Sequence, residues 1–214
     1  MNQPPVASPA PGAPPPPPSA ADIARGRRTL LGLAALFFVP LMISFWLYYA
    51  GGWRPDGTTN NGELITPVRA LEDVAFTLPD GTTSARAGLL RDKWTLVYIG
   101  DGSCKEACQR ALWTIRQTRL LLAQDMQRVQ RVFIATSNCC NTEFLAREHV
   151  GLEVVQPLDP AARDLVAQFP ADQRETTVFV VDPLGNLMLR FDTRENPKGL
   201  LKDIEKLLKL SHIG

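Results

Sequence analysis

Lys93-Trp94-Thr95-Leu96-Val97-Tyr98-Ile99-Gly100-Asp101-Gly102-Ser103-Cys104-Lys105-Glu106-Ala107-Cys108 is the stretch that decides the fold. Its apolar run, Trp94–Ile99, has the length and composition of a central strand. Gly100 to Ser103 interrupt the run as a turn does. Two cysteines then follow in C-x-x-x-C spacing where a helical pattern begins. Ala111, Leu112, Ile115 and Leu122 recur at helical spacing, and Cys108 falls on their face. Arg110, Arg116, Gln117 and Arg119 occupy much of the rest. A buried strand therefore runs into a turn, and a thiol pair stands at the start of the next helix.

Working outward, Val74–Leu78 followed by Pro79-Asp80-Gly81 predicts a strand and a turn. Arg131–Thr136 predicts a second core strand, and Asn141–Glu148 a short helix capped by Asn141 or Thr142. Leu152–Gln156 reads as a short strand and Ala161–Phe169 as a helix. Thr176–Val181, the turn Asp182–Gly185 and Asn186–Phe191 form a hairpin. Pro197–Leu210 is a closing amphipathic helix with proline in its first turn. The order β-β-α-β-α-β-α-β-β-α implies parallel crossovers first and antiparallel strands last. The predicted class is α/β, a thioredoxin-like mixed-sheet sandwich.

Upstream the composition changes twice. Residues 1–28 contain no aromatic residue, and nine of the eighteen prolines lie within residues 4–18. Such a segment buries too little apolar surface to offset chain entropy, so a disordered tail with polyproline II character around Pro14–Pro18 is expected. Residues 29–50 carry no charge. A helix of about 22 residues is about 33 Å long and crosses a hydrocarbon core of about 30 Å. Arg25, Arg27 and Arg28 precede it, while Trp46, Tyr48, Tyr49 and Trp53 cluster at its end. The positive-inside rule then places residues 1–28 in the cytoplasm and the rest across the membrane. The run is too long for a cleaved signal peptide, and Tyr48 is too bulky for a small-x-small cleavage site. Residues 51–66 read as a turn-rich linker, and residues 67–214 suffice for one domain with a core. The net charge of +1 gives no bulk attraction to nucleic acid.

From about Leu71 to Leu210 the chain resembles the Sco/SenC group of membrane-anchored thioredoxin-like proteins. The resemblance rests on the anchor, Phe76–Gly81, Lys93–Gly100, the C-x-x-x-C pair and Val178–Gly185. Asp101-Gly102-Ser103-Cys104 through Cys108, Ile115–Arg119 and Asp125–Val132 also resemble proteobacterial transmembrane proteins associated with cytochrome oxidase. The resemblance implies a bacterial inner-membrane protein with a periplasmic domain that helps build the copper centre of cytochrome c oxidase. Oxidase subunits or another assembly factor are the implied partners. The family cysteines correspond to Cys104 and Cys108, as catalytic thiols or copper ligands. The family histidine has no counterpart, because Arg174-Glu175-Thr176 stand at its place. The proline that precedes this strand in thioredoxins is also absent.

The chemistry of the pair admits three roles. Unpaired helix N–H groups and Lys105 favour the thiolate of Cys104. Cα atoms four residues apart on a helix are about 6 Å apart, inside the disulfide window of about 4.4–6.8 Å. Two thiolates at this spacing also suit Cu(I), a soft ion. The pair is therefore redox-active, copper-binding or a structural staple of a scaffold protein. Cys139 and Cys140 follow the second core strand, and their loop is expected near Cys104, because parallel strands end on one face. Either offers a resolving thiol or a third copper ligand, or is an ordinary loop thiol. Adjacent cysteines are expected not to bond each other, although four cysteines allow two bridges. His149 is expected to cap a helix or face solvent, His212 to fray, and Met188 to fill core. Arg116, Arg119, Arg128 and Arg131 are expected to form a solvated basic face or to dock an acidic patch.

Overall fold

The computed structural model describes residues 19–49, 59–211 and 213. The proline-rich segment, most of the predicted linker and His212 lie outside the described residues. The described residues fall into two units, one within residues 1–57 and one within residues 58–214.

In the first unit, helix α1 spans Ala20–Tyr49 with none of its residues buried. Among the described residues it is the one helix long and apolar enough to cross a membrane. It starts earlier than position 29, so residues 20–28 are helical rather than disordered. The reason is local. Ser19 Oγ accepts from Asp22 N at 3.2 Å, and the Ser19 backbone N–H donates to Asp22 at 3.3 Å. This reciprocal capping box pairs the Ser19 N–H and adds a second acceptor for the Asp22 N–H, which also reaches Ser19 O at 3.0 Å.

The second unit is a six-stranded sheet in the order β1-β6-β5-β2-β3-β4. The strands are β1 (Glu63–Ala70), β2 (Trp94–Asp101), β3 (Val129–Ser137), β4 (Glu153–Val155), β5 (Thr177–Val181) and β6 (Asn186–Asp192). The helices are α2 (Glu106–Leu121), α3 (Thr142–Glu148), α4 (Pro160–Ala167) and α5 (Pro197–Leu210). β2 runs parallel to β3 and antiparallel to β5, as the predicted crossovers and hairpin require. Seven of the eight residues of β2 are buried, because helices and loops cover both faces of the central strand. Leu96 and Tyr98 join α2 and α5 on one face, while Val97 and Ile99 join α4 on the other.

The predicted first strand moves. Val74–Leu78 forms no ladder, and Thr77 makes only isolated bridges to Ser84 and Gln156. The strand at the sheet edge is β1, which begins inside the segment read as a linker. Pro67 and the Asn60-Asn61-Gly62 turn hide it in the sequence. Proline cannot donate to a ladder and is confined to edges, and the pairing of β1 with β6 shifts register between Leu64 and Arg69. Asp203 of α5 secures the approach, accepting from the backbone N–H of Asn61 at 2.9 Å and of Gly62 at 2.7 Å.

Candidate functional site

β2 and β3 run side by side, so their C-terminal ends deliver two loops to one place. Each loop carries a cysteine pair. Lys105 occupies the N-cap position of α2, so Cys104 precedes the helix and Cys108 lies in its first turn. Cys104 takes φ +49°, the left-handed region that costs a non-glycine residue about 1–2 kcal/mol. That bend lets the chain double back, and the Cys104–Cys108 disulfide closes with Cα atoms 5.0 Å apart. The geometry lies well inside the allowed window, closer than a fully helical pair. Both residues are buried, Cys104 at 1% exposure and Cys108 at 4%.

The second pair corrects an expectation. Cys139 and Cys140 are bonded to each other across a cis peptide, with Cα atoms 3.0 Å apart. A trans peptide would hold those atoms about 3.8 Å apart. Both residues are half-buried and pack against the cluster that contains Cys104 and Cys108. No cysteine is free among the described residues, and no group of three or more His, Cys, Asp or Glu is arranged to hold a metal ion. Neither Cys139 nor Cys140 is thus a free third ligand in this oxidised state.

Backbone and side-chain hydrogen bonds tie the two loops. Gly102 N–H donates to Ser137 O at 2.7 Å, and Asn141 N–H donates to Gly102 O at 2.9 Å. The Asp101 carboxylate accepts from Ser103 N–H at 2.8 Å, Ser137 Oγ at 2.7 Å and Asn138 Nδ2 at 2.6 Å, and also from the Ser103 hydroxyl. The Ser103 hydroxyl, then Ser137 and Asn138, hold the Asp101 carboxyl well below the usual carboxylate range. Gly102 is required by contact. A Cβ there would lie 2.6 Å from the Cys139 Cα and 2.8 Å from Asn138 O. The local Asp-x-Ser turn of Asp101 is legible in the sequence, since aspartate commonly accepts from the backbone two residues on. Its partners across the sheet are not.

The remaining candidates sit elsewhere or do other work. Arg174, which stands where the resemblance would place a histidine, donates to Phe169 O at 2.6 Å and Pro170 O at 3.2 Å. It therefore closes the end of α4 instead of offering a ligand. Tyr98 donates to Glu175 O at 3.1 Å, and burial pushes its hydroxyl upward, so it stays a neutral donor beneath the site. His149 is the C-cap residue of α3, but it is buried at 4% exposure rather than solvated, edge-on to Phe144. Burial, then Arg131 and Arg116, lower its pKa to about 4. Met188 packs against the core as expected. Three of the four arginines expected on a solvated face are tied to the fold instead. Arg119 donates to Val129 O at 2.7 Å, Arg128 to Ser211 O at 2.6 Å, and Arg131 is 3% exposed with a bond to Val150 O. Each gives at least one guanidinium N–H to a backbone carbonyl, although Nε and Nη1 of Arg131 are buried without a partner among the described residues.

A mixed sheet with a cysteine pair between the central strand and its following helix defines a thioredoxin-like protein. The family model of the transmembrane-like, thioredoxin-like C-terminal domain matches residues 94–211, more than half of the chain, and the chain belongs to that family. None of the curated proteins matches the sequence. Several Sco structures share the fold. Apo Sco1 from Thermus thermophilus is 19% identical, with a TM-score of 0.55 over 72% of this chain and 99% of its own. Yeast Sco1 with copper bound is 15% identical, with a TM-score of 0.53 over 72% and 95%. ScoI of Bradyrhizobium japonicum with copper bound is 17% identical, with a TM-score of 0.50 over 64% and 99%.

Proposed function

We propose that this chain is a single-pass inner-membrane protein that supports assembly of the copper centre of cytochrome c oxidase by thiol–disulfide exchange at Cys104 and Cys108. The observation that carries the reading is the Cys104–Cys108 disulfide, closed at the N-terminus of α2 on a thioredoxin-like sheet. In the reduced protein the Cys104 thiolate attacks a partner disulfide and forms a mixed disulfide, releasing one partner thiolate. Cys108 then attacks Cys104 Sγ, closes the observed bond and releases the second partner thiol. The partner gains two electrons, and its copper-ligand thiols become available. The partner is an oxidase subunit or another assembly factor. Arg25, Arg27 and Arg28 favour a cytoplasmic tail of residues 1–28 and a periplasmic domain of residues 67–214, joined through the span 29–50 and the linker 51–66. That compartment sustains disulfides.

A strain lacking the protein, complemented with wild type or Cys104→Ser/Cys108→Ser, tests the reading. Loss of the copper-centre absorbance of the oxidase in the variant strain is expected. Full rescue by the double serine variant would overturn exchange and leave a scaffold role with structural cysteines.

Copper handling is the second reading, and the gathering of both cysteine pairs into one cluster favours it. Once reduced, the thiols are soft ligands suited to Cu(I). An anaerobic Cu(I) competition titration of the reduced full chain decides it. One-to-one binding lost in Cys104→Ser/Cys108→Ser supports a copper site, and equal weak binding by both proteins removes it.

A further inference from the structure

The two cysteine pairs differ in access. The pair expected to meet a partner is buried, whereas Cys139 and Cys140 are only half-buried. Attack on a disulfide needs the incoming thiolate in contact with one sulfur, so access limits the rate. A protein thiol approaching from solvent meets Cys139–Cys140 first. The loops behind that pair touch backbone to backbone, since Gly102 leaves no room even for a Cβ against Cys139. Two backbone hydrogen bonds and the Asp101 carboxylate hold this contact. All four cysteines border one apolar cluster.

From this arrangement we infer that Cys139–Cys140 is a second redox couple, the solvent-facing port through which electrons reach the buried Cys104–Cys108 disulfide. The inference rests on the exchange reading above and adds the route by which the working pair is recharged. The external reductant is a dithiol protein. Its first thiolate attacks the Cys139–Cys140 bond, and its second thiol resolves the mixed disulfide. The reductant leaves oxidised, with Cys139 and Cys140 as a dithiol. One of these, as the thiolate, attacks Cys104 Sγ and displaces the Cys108 thiolate. The other then attacks its neighbour's sulfur, reforming Cys139–Cys140 and releasing Cys104. Each internal transfer breaks one disulfide and makes one. The net change is two electrons and two protons moved from the external dithiol to Cys104 and Cys108.

The test uses the oxidised full-length chain in detergent micelles with dithiothreitol as reductant. Acid quenching, alkylation and peptide mass spectrometry follow each cysteine in time. Thiols at Cys139 and Cys140 are expected before those at Cys104 and Cys108. In Cys139→Ser/Cys140→Ser, reduction of Cys104–Cys108 is expected to slow about tenfold, as access dictates. Equal rates in both proteins overturn the relay. A second measurement does not depend on how that variant folds. Cys108→Ser is combined with Cys139→Ser or with Cys140→Ser, leaving Cys104 and one partner. A Cys104 cross-link to the remaining cysteine is expected in at least one of the two, and its absence from both overturns the relay.

The exchange reading fails separately. Pre-reduced wild type and Cys104→Ser/Cys108→Ser are each given an oxidised dithiol peptide. Equal peptide reduction by both sinks exchange at Cys104, whereas equal recharging rates with wild-type peptide reduction intact sink only the relay.

Discussion

The segments β2-loop-α2 and β3-loop-α3 repeat one plan, a parallel strand, a cysteine pair and a helix, yet they are anchored differently. In the first, the pair is buried and α2 runs 16 residues, with Cys108, Ala111, Leu112 and Ile115 all in the core. In the second, the pair is half-buried and α3 has only 7 residues, with Leu145 its one buried member. Burying a leucine or isoleucine side chain is worth about 1.5–3 kcal/mol, so α2 is secured several times over. α3 depends on its two ends, the Asn141 cap and buried His149. Identical topology thus yields one insulated disulfide and one accessible disulfide, and the difference lies in how many apolar residues the following helix contributes.

The largest effect is expected from removing the contact that joins the two segments. In Gly102→Val the new side chain meets the Cys139 backbone, which is not the end of a flexible side chain. Overpacking of this kind costs about 1–3 kcal/mol, and separating the loops also exposes their hydrogen bonds. A loss of about 3 kcal/mol or more in urea unfolding is expected. A change below about 0.5 kcal/mol, the usual range for surface substitutions, would show that the loops are not in firm contact.

This contact also marks where the sequence stopped being legible. The strand-turn-helix around Cys104 and Cys108 announced itself through a six-residue apolar run and a helical repeat, both local signals. The hairpin and the closing helix Pro197–Leu210 were legible for the same reason. That the two loops meet was legible from the parallel order of the strands, whereas the close backbone approach of Gly102 to Cys139 was not, because no spacing along the chain encodes it. β1 was misread because Pro67 and Asn60-Asn61-Gly62 are turn-like in isolation, and only pairing with β6 makes the segment a strand. The arginines looked like a charged face because their composition is visible, whereas the carbonyls they satisfy are distant in sequence. Burial of the working cysteines is likewise a tertiary property, set by the core into which α2 packs.

The next effect sharpens the contrast through pH. His149 titrates near pH 4 in the folded chain, against about 6.5 when unfolded. The unfolded state therefore binds more protons between those values, and stability falls as pH drops from about 6.5 to about 4. The full difference is about 3.5 kcal/mol, at about 1.4 kcal/mol per unit, and most of it is lost by pH 4. Wild type minus His149→Phe, compared by denaturant unfolding at pH 7 and pH 4, isolates this group from the carboxylates. The variant is expected to lose less stability at pH 4 than wild type. Hydrogen exchange should place the acid-sensitive opening in α3 rather than α2. Parallel losses in both proteins would remove His149 as the anchor.

Smaller again is the cap at the other end of α3. Asn141 Oδ1 accepts from Phe144 N–H at 3.3 Å. Asn141→Ala is expected to cost about 1 kcal/mol. The backbone bond from Asn141 to Gly102 survives the substitution, so the loop contact itself should persist. Faster dithiothreitol reduction of Cys139–Cys140 is expected, and an unchanged rate would show that this cap does not hold the second loop.

The least global change is expected from Asp101→Asn. The carboxylate lies at the surface, and an amide still offers one acceptor to its four donors. Its depressed pKa keeps wild-type Asp101 ionised far below neutrality. Any contribution to stability is present above the unfolded value of about 3.9 and is lost only as pH falls toward the folded one. The clasp should therefore be unaffected by pH between 5 and 8, where protonation of the unfolded chain's histidine already begins to weaken the α3 end. The variant should show faster exchange of the Ser103 amide, with protection in β2 and α2 unchanged. Loss of protection throughout α2 would mean that the first segment, too, depends on the loop contact rather than on its own buried face.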